Sequence, residues 1–231
     1  KIKKIFNFKF LILNKKIKQK FKIEKYRTEK RANLKLKIPG QHNLSNANAA
    51  LKVAEVLGIE EKIALSVLND FNGIWRRMEY KGEINGAKIY DDYGHHPTEI
   101  KLTLEGARQF LVDNQFFQGR LWCVFQPHQY QRTYDLFNDF IKAFDSADRV
   151  ILLPIYSVAG REDEEVKKKV SSEKLVQALK EKYKEEEKIK YCKDFDEAIE
   201  YLKVNLKNGD ICLIMGAGDV YKLTERLLVK K

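Results

Sequence analysis

The stretch KIYDDYGHHP, residues 88–97, decides the fold of this 231-residue chain. Its first four residues have the character of a β-strand, a polar loop follows over 92–96, and Pro97 opens a helix. The same order of strand, loop and helix recurs to the end of the chain, which predicts an α/β fold with a mostly parallel, open sheet and flanking helices. The predicted strands cover residues 88–91, 121–125, 149–153, 189–192 and 210–215.

Helices are predicted between these strands and also upstream of them. Asn43 or Ser45 is predicted to cap a first helix that Gly58 ends, and a second short helix covers 60–71. Asn85-Gly86 predicts the turn of a hairpin before the first parallel strand. The stretch 154–169 is predicted to be a loop. The remaining predicted helices begin at residue 97, cover about 133–144, 172–183 and 195–204, and follow residue 218.

The net charge of +11 is concentrated at one end of the chain. Residues 1–40 hold 15 Lys/Arg and two acidic residues, a balance of +13, whereas the remainder carries 29 bases and 31 acids. Apolar residues alternate with polar residues, mostly lysines, within residues 6–23 and again at Leu34, Leu36 and Ile38, which predicts β-strands with one solvated face. A nucleic-acid-binding arm is the alternative interpretation of this segment.

Composition excludes several other classes of protein. No apolar run approaches the roughly 18–20 residues that span a bilayer, so no membrane partner is expected. The three cysteines fall in predicted strands, which indicates buried free thiols in a reducing compartment rather than a disulfide scaffold.

Polar side chains cluster on two loops that follow predicted strands, DDYGHHP (91–97) and QPHQYQRT (126–133). Ligands of open α/β sheets bind at the carboxyl ends of the strands, so these loops are candidate site segments. Asp92, His95, His128 and Arg132 together could clamp an anion or bind a ribose. Each of them alone could instead be a turn former or a helix cap. The adjacent His95 and His96 could hold a metal, but such pairs diverge easily, and no metal site is predicted.

Two further motifs are candidates for phosphate contact. In the pair Arg76-Arg77, one arginine is expected to be solvated and one paired, with phosphate binding as the functional alternative. The turn Gly216-Ala217-Gly218-Asp219 could cradle a phosphate at a helix N-terminus. It lacks the spacing of a nucleotide-binding glycine loop, so a packing turn is the favoured interpretation.

Five motifs occur in a recognisable order: IPGQHNLSNANAA (38–50), GIWRRMEYKG (73–82), YDDYGHHPTEI (90–100), VFQPHQYQRT (124–133) and MGAGD (215–219). Together they resemble the carboxyl-terminal part of a Mur ligase, from about Ile38 to the end of the chain. The resemblance implies a Rossmann-like carboxyl-terminal domain over 73–231. It implies that residues 1–72 are the tail of the family's central ATPase domain, a β-rich remnant followed by a linker helix.

The resemblance implies a cytoplasmic, ATP- and Mg²⁺-dependent ligase of peptidoglycan precursor synthesis that joins L-alanine to UDP-N-acetylmuramate through an acyl phosphate. The chain has no GxxxxGK[ST] motif. We therefore expect the phosphate-binding loop, the main Mg²⁺ ligands and the UDP-binding domain on missing amino-terminal ligase domains, and we expect this fragment to be inactive alone. The alternatives are a tripeptide-adding muramate ligase and a stand-alone nucleotide- or nucleic-acid-binding module, although no nucleic acid is expected as a partner.

The resemblance also assigns roles to individual residues. It places Asn43 and Asn46 at the adenine of ATP with His42 nearby, Arg76 or Arg77 at the phosphates, and Asp92 at the ribose. Tyr93, His95, His128 and Arg132 look like the pocket for L-alanine, where the last three are also the catalytic candidates. Gln129 stands where the family usually has arginine, which puts full activity in doubt.

Overall fold

The computed structural model describes residues 26, 33–38, 40–113, 118–160, 163–185 and 187–229. The strands predicted within residues 6–23 lie outside the described residues. The strands are β1 (Glu79–Ile84), β2 (Ala87–Asp92), β3 (Leu121–Phe125), β4 (Arg149–Leu152), β5 (Ile189–Tyr191) and β6 (Ile211–Met215). The helices are α1 (Gln41–Val56), α2 (Glu61–Asp70), α3 (Pro97–Asp113), α4 (Tyr130–Asp135), α5 (Phe137–Phe140), α6 (Glu164–Lys169), α7 (Ser172–Tyr183), α8 (Phe195–Asn205) and α9 (Tyr221–Leu228).

The six strands form one sheet in the order β1-β2-β6-β3-β4-β5. β1 pairs antiparallel with β2 at one edge, and all other pairs are parallel, so the predicted mostly parallel α/β sheet is confirmed. The hairpin between β1 and β2 turns at Asn85 and Gly86, whose φ values of 53° and 77° are those that an Asn-Gly turn favours.

Helices cover both faces of the sheet because side chains alternate along each strand. In β3, Leu121, Cys123 and Phe125 join a core that includes residues of α3, α5 and α7. Trp122 and Val124 face the opposite core, which includes residues of α8 and α9. Every residue of β3 and β6 is buried, as expected for central strands of a sheet that is covered on both faces.

A separate small core holds α1 and α2 together. Leu34, Ala47 and Leu51 are its buried members. The strand predicted from the alternation of Leu34, Leu36 and Ile38 is wrong, since residues 33–38 pair with no strand in the described chain. Their burial does alternate, but Lys35 N donates to Asn69 Oδ1 at 2.7 Å, so a side chain of α2 replaces a sheet partner.

Three predictions about helices also need correction. α1 begins at Gln41. Gly40, which adopts φ 105°, is the capping residue, and its carbonyl accepts the first helical hydrogen bonds. No side chain caps this end, and Asn43 and Ser45 lie inside the helix. The helix predicted over 133–144 begins earlier, at Tyr130, and breaks at Leu136 into α4 and α5. The predicted loop 154–169 contains α6, which Asp163 caps through the amides of Glu165 and Val166.

Candidate functional site

The two predicted site loops meet at the carboxyl edge of the sheet. Gly216 N donates to Asp92 O at 3.1 Å, and Gln126 N donates to Met215 O at 3.0 Å, so the ends of β2, β6 and β3 are joined in a row. The loop after β4 joins the same edge, because Gln129 N donates to Tyr156 O and Tyr156 N to Pro127 O. Four strand ends therefore contribute to one region of the surface.

A cleft of about 610 Å³ lies between the α1–α2 pair and this edge of the sheet. Five of the six residues predicted to bind ATP line it: His42, Asn43 and Asn46 from α1, with Arg77 and Asp92 from the sheet side. Its other walls are largely apolar. They include Leu36, Ile38, Ala47, Ala50, Leu68, Phe71, Ile74, Met78, Leu102 and Thr103. A mostly apolar cleft with a few convergent polar groups is the usual form of a small-molecule site.

Arg76, the sixth predicted ATP residue, is buried away from the cleft lining, with 1% of its surface exposed. Its Nε donates to Asp91 Oδ1 at 3.2 Å, Nη1 to Gly218 O at 3.0 Å and Nη2 to Gly216 O at 2.6 Å. The guanidinium also lies 5.2–5.6 Å from the ring centroids of Trp75, Tyr93 and Tyr221. Arg76 is therefore the paired arginine of the two, and it ties the turn after β6 to the end of β2.

Arg77 is the arginine that faces the cleft. Its side chain is 46% exposed, and Nη1 lies 3.9 Å from Glu99 Oε1. Burial lowers the pKa of His42, and the positive charge of Arg77 lowers it further. The pair therefore offers one permanent cation and one imidazole that is neutral near pH 7.

Asp92 is held rigidly at the inner end of the cleft. Its Oδ1 accepts from Gly94 N at 2.7 Å and its Oδ2 from Met78 N at 3.0 Å. Burial raises the pKa of Asp92, whereas these two amides and the Arg77 charge act in the opposite direction. The close approach of residue 94 to the Asp92 carboxylate requires glycine, since a side-chain Cβ there would lie 2.7 Å from Asp92 Oδ1.

A row of four rings, the histidine row, runs beside the cleft: Tyr93, His95, His128 and Tyr156. Tyr93 and His95 make an edge contact at 5.4 Å between centroids, His95 and His128 are 6.2 Å apart, and His128 stacks on Tyr156 at 5.2 Å. Arg132 Nη1 lies 3.3 Å from both His128 Nδ1 and His128 O. The structure thus brings together all four residues that were predicted to form the substrate pocket.

Glu99 links the two parts of the site. Its Oε2 accepts from His95 N at 3.0 Å and from His96 N at 3.2 Å, the reciprocal half of a capping box at the start of α3. Burial acts to raise the pKa of Glu99, but these amides and the charges of His95 and Arg77 outweigh it and hold the pKa below its usual value.

Sequence reasoning missed three residues at this site: Glu99, Gln126 and Tyr156. Glu99 carried a signal, because it stands three residues after His96 at a predicted helix start. Gln126 is 7% exposed, and its Oε1 has no hydrogen-bond partner in the described structure. Tyr156 lies in a stretch that was predicted only as a loop. Gln129 adopts φ 70° and accepts from Thr133 N and Oγ1 through its carbonyl.

The model of one protein family, described as Mur ligase, glutamate ligase domain, matches residues 76–218, more than half of the chain. The chain belongs to the Mur ligase family. The matched residues run from Arg76 to Gly218, the two ends that the Arg76 side chain joins. They contain the whole histidine row and the cleft residues Arg77 and Asp92.

Curated Mur ligases match the chain over most of its length. It is 40% identical over 203 residues to a UDP-N-acetylmuramate–L-alanine ligase of Caldanaerobacter subterraneus, which covers 88% of this chain and 41% of that protein. It is 42% identical over 196 residues to the ligase of the same name from Alkaliphilus metalliredigens, covering 85% of this chain and 40% of that protein. The chain thus spans about two fifths of the length of these relatives.

Solved Mur ligase structures share the fold. UDP-N-acetylmuramate-alanine ligase MurC from Thermotoga maritima superposes with a TM-score of 0.65 at 24% identity, over 84% of this chain and 39% of that one. A murein peptide ligase from Psychrobacter arcticus gives a TM-score of 0.56 at 26% identity, over 84% and 38% of the two chains. None of the helices in the described residues combines the length and the hydropathy of a membrane-spanning segment.

Proposed function

We propose that this chain is the carboxyl-terminal part of an ATP-dependent ligase that joins L-alanine to UDP-N-acetylmuramate in peptidoglycan precursor synthesis. The observation that carries the proposal is the joint position of the cleft and the histidine row at one sheet edge, in a chain about 40% identical to ligases of that name. The cleft takes ATP, and the row takes the amino acid. Such synthesis takes place in the cytoplasm.

Different cleft residues contact different parts of the nucleotide. Asn43 and Asn46 bind the adenine side with His42 beside them, because amides can both donate to and accept from a purine edge. Arg77 contacts the phosphates, since Arg76 is committed to Asp91 and to two carbonyls. Asp92 accepts from the ribose hydroxyls through the lone pairs that Gly94 and Met78 leave unused.

The reaction begins when the terminal phosphoryl group of ATP passes to the carboxylate of UDP-N-acetylmuramate. The amine of L-alanine then attacks the acyl phosphate, and phosphate leaves from a tetrahedral intermediate. Charge develops on oxygen in both steps, so fixed cations and exclusion of water are needed. Arg132 pairs with the alanine carboxylate, and Tyr93 bounds the space for its methyl group.

The division of the chain follows the same proposal. Residues 1–72 are the tail of the central ATPase domain, and 73–231 are the carboxyl-terminal domain. The phosphate-binding loop, the main Mg²⁺ ligands and the UDP-binding domain are supplied by the amino-terminal part that the relatives possess beyond the match. This chain alone is therefore expected to show no ligase turnover.

A hybrid ligase tests the proposal. The unmatched amino-terminal part of the Caldanaerobacter relative, joined to the matched part of this chain, should release phosphate from ATP only when UDP-N-acetylmuramate and L-alanine are both present. Arg132→Ala should raise the KM for alanine and Arg77→Ala the KM for ATP. Arg149→Ala is the control, because Arg149 pairs with Glu187, away from the site. A folded hybrid without alanine-dependent turnover would refute the assignment.

A tripeptide-adding muramate ligase is the second candidate, and the likeness to the Psychrobacter murein peptide ligase favours it. The two functions differ in the size of the incoming amine. Supplying the hybrid with the free tripeptide in place of L-alanine, with UDP-N-acetylmuramate as the acceptor, separates them. Turnover with the tripeptide but not with L-alanine would assign the second function.

A further inference from the structure

The two histidines of the histidine row have different hydrogen-bond partners at the same ring atom. His128 Nδ1 lies 3.3 Å from Arg132 Nη1. A guanidinium can only donate, so Nδ1 of His128 must accept. In a neutral ring the proton is then on Nε2. Arg132 therefore fixes His128 as the Nε2–H tautomer, which presents a hydrogen-bond donor.

His95 has the opposite arrangement. Its Nδ1 lies 3.1 Å from the carbonyl oxygen of Tyr93 and 3.6 Å from Glu99 Oε2. Both neighbours are acceptors only, so Nδ1 of His95 must carry a proton. In the neutral ring the lone pair is then on Nε2. A protonated Nδ1 beside a carbonyl and a carboxylate is the arrangement that orients a histidine to accept a proton at Nε2.

Tyr156 keeps the ring of His128 in place. The two rings stack at 5.2 Å with an angle of 12° between their planes, and backbone bonds join Tyr156 to Pro127 and to Gln129 on either side of His128. Tyr156 also lies against Gly218, where a Cβ would be 2.8 Å from the ring. Stacking on Tyr156 therefore sets the plane of the His128 ring, and the contact with Arg132 Nη1 sets which ring nitrogen accepts.

We infer that the histidine row separates two proton roles, with His95 Nε2 as the proton acceptor and His128 Nε2–H as a fixed donor that Arg132 and Tyr156 hold. For the chemistry this rests on the proposed function, whereas the tautomers themselves depend only on the geometry. His95 is then a catalytic residue, and Tyr156 is a positioning residue that acts through His128.

The roles fit the steps of amide formation. His95 Nε2 takes one proton from the alanine ammonium and becomes imidazolium, and the freed amine forms a C–N bond to the acyl-phosphate carbon. The Nε2–H of His128 donates to the oxygen on which negative charge then develops. The C–O bond to phosphate breaks, phosphate leaves with the electron pair, and it takes up the second nitrogen proton as the amide forms.

Nitrogen NMR of the ¹⁵N-labelled 231-residue chain tests the inference directly. The chain has four histidines, and single His→Gln variants assign the ring signals of each. At a pH above which the ring signals no longer change, His128 should show a protonated Nε2 and His95 a protonated Nδ1. The same tautomer at both histidines, or the reverse assignment, would overturn the inference.

Two arginine variants complete the experiment. Arg132→Leu should shift the Nδ1 resonance of His128, because it removes the donor, and should leave the tautomer of His95 unchanged. Arg149→Leu is the matched control and should move neither histidine. An unmoved His128 signal in Arg132→Leu would remove Arg132 from the positioning role. This readout needs no ligase activity, so an inactive hybrid would refute the proposed function and leave the tautomers standing.

Discussion

Arg76 and Arg77 show how far two identical neighbouring side chains can diverge in role. Arg76 adopts φ 54°, which is unusual for a residue with a side chain, and its guanidinium is fully committed inside the protein. Arg77 extends to the cleft and stays half exposed. The sequence predicted that one of the two would be paired but not which, because the deciding partners, Gly216 and Gly218, are 140 and 142 residues away.

Replacing Arg76 by lysine should strongly destabilise the fold. Lysine keeps the charge, but its single nitrogen cannot take the place of the three guanidinium nitrogens that reach Asp91 and the two glycine carbonyls separately, so buried groups lose their partners. We expect a loss of about 3 kcal/mol in the free energy of unfolding, measured by urea denaturation. Arg77→Lys, the matched control, should change it by about 0.5 kcal/mol or less. Equal losses in the two variants would contradict the structure.

The Glu99→Gln variant should reveal a pH-dependent contribution to stability. The pKa of Glu99 is lower in the folded chain than in the unfolded one, so its contribution is complete above the unfolded value of about 4.3 and disappears as pH falls through the folded value. We expect Glu99→Gln to cost about 0.5–1 kcal/mol at pH 7 and nothing well below pH 4. Urea titrations at both pH values measure it, with the exposed Glu105→Gln as control. A cost independent of pH would exclude the charge as its source.

At the scale of elements, Tyr156 joins the loops after β3, β4 and β6, because its backbone bonds Pro127 and Gln129 and its ring makes a close contact with Gly218. Gly218 does not have a positive φ, so its backbone conformation does not require glycine. A side-chain Cβ at this position would instead collide with the ring of Tyr156. The contact explains why the glycine turn after β6 is a packing turn: its carbonyls bind Arg76, and its second glycine receives a tyrosine ring.

A double-mutant cycle should detect the contact between Gly218 and Tyr156. Gly218→Ala should cost about 1–3 kcal/mol of unfolding free energy, because the methyl group meets the ring of Tyr156. In a Tyr156→Leu background the same change should cost much less, since the smaller side chain leaves room. Chemical denaturation of the four proteins gives the coupling energy. An additive cycle would show that Gly218 and Tyr156 do not share this space.

Element prediction succeeded where local signals were strong and failed where distant partners decided. Leu121–Phe125 and Ser172–Tyr183 were predicted to the residue. The first is a wholly apolar run, and in the structure Ser171 caps the second. α6 was missed because its six residues bury only Val166. The shared edge of Asp92, His95 and His128 followed from parallel topology, but nothing local marked Tyr156 as the partner of His128.

At the scale of the whole molecule, the described part of the chain has four hydrophobic cores of unequal size. Two large cores cover the faces of the sheet, whereas α1 and α2 share the small core around Leu34 and Leu51. No residue of α2 is buried, and Val67 on it is 65% exposed. The cleft therefore has one wall on the well-packed sheet and one on a weakly packed helix pair.

Native-state hydrogen exchange should resolve this difference. Amides of α2 should exchange through local openings whose free energy is several kcal/mol lower than that of the openings of β3 and β6. The reason is that local opening of α2 exposes little apolar surface. α7 is the control helix, since Ser172, Leu175, Val176 and Leu179 bury it on the sheet. It should exchange more slowly than α2. Equal protection of α2 and β6 would contradict the unequal cores.

The position of β6 has a consequence for biosynthesis. β6 comes last among the strands, yet it pairs with β2 on one side and β3 on the other. A nascent chain that has emerged as far as residue 205 can therefore form a β1–β2 hairpin and a β3–β4–β5 sheet but cannot join them. Both partial sheets expose an apolar edge until Ile211–Met215 leaves the ribosome, the stage at which aggregation and chaperone capture are most favoured. Premature termination before Ile211 would accordingly yield an insoluble product rather than a smaller folded one.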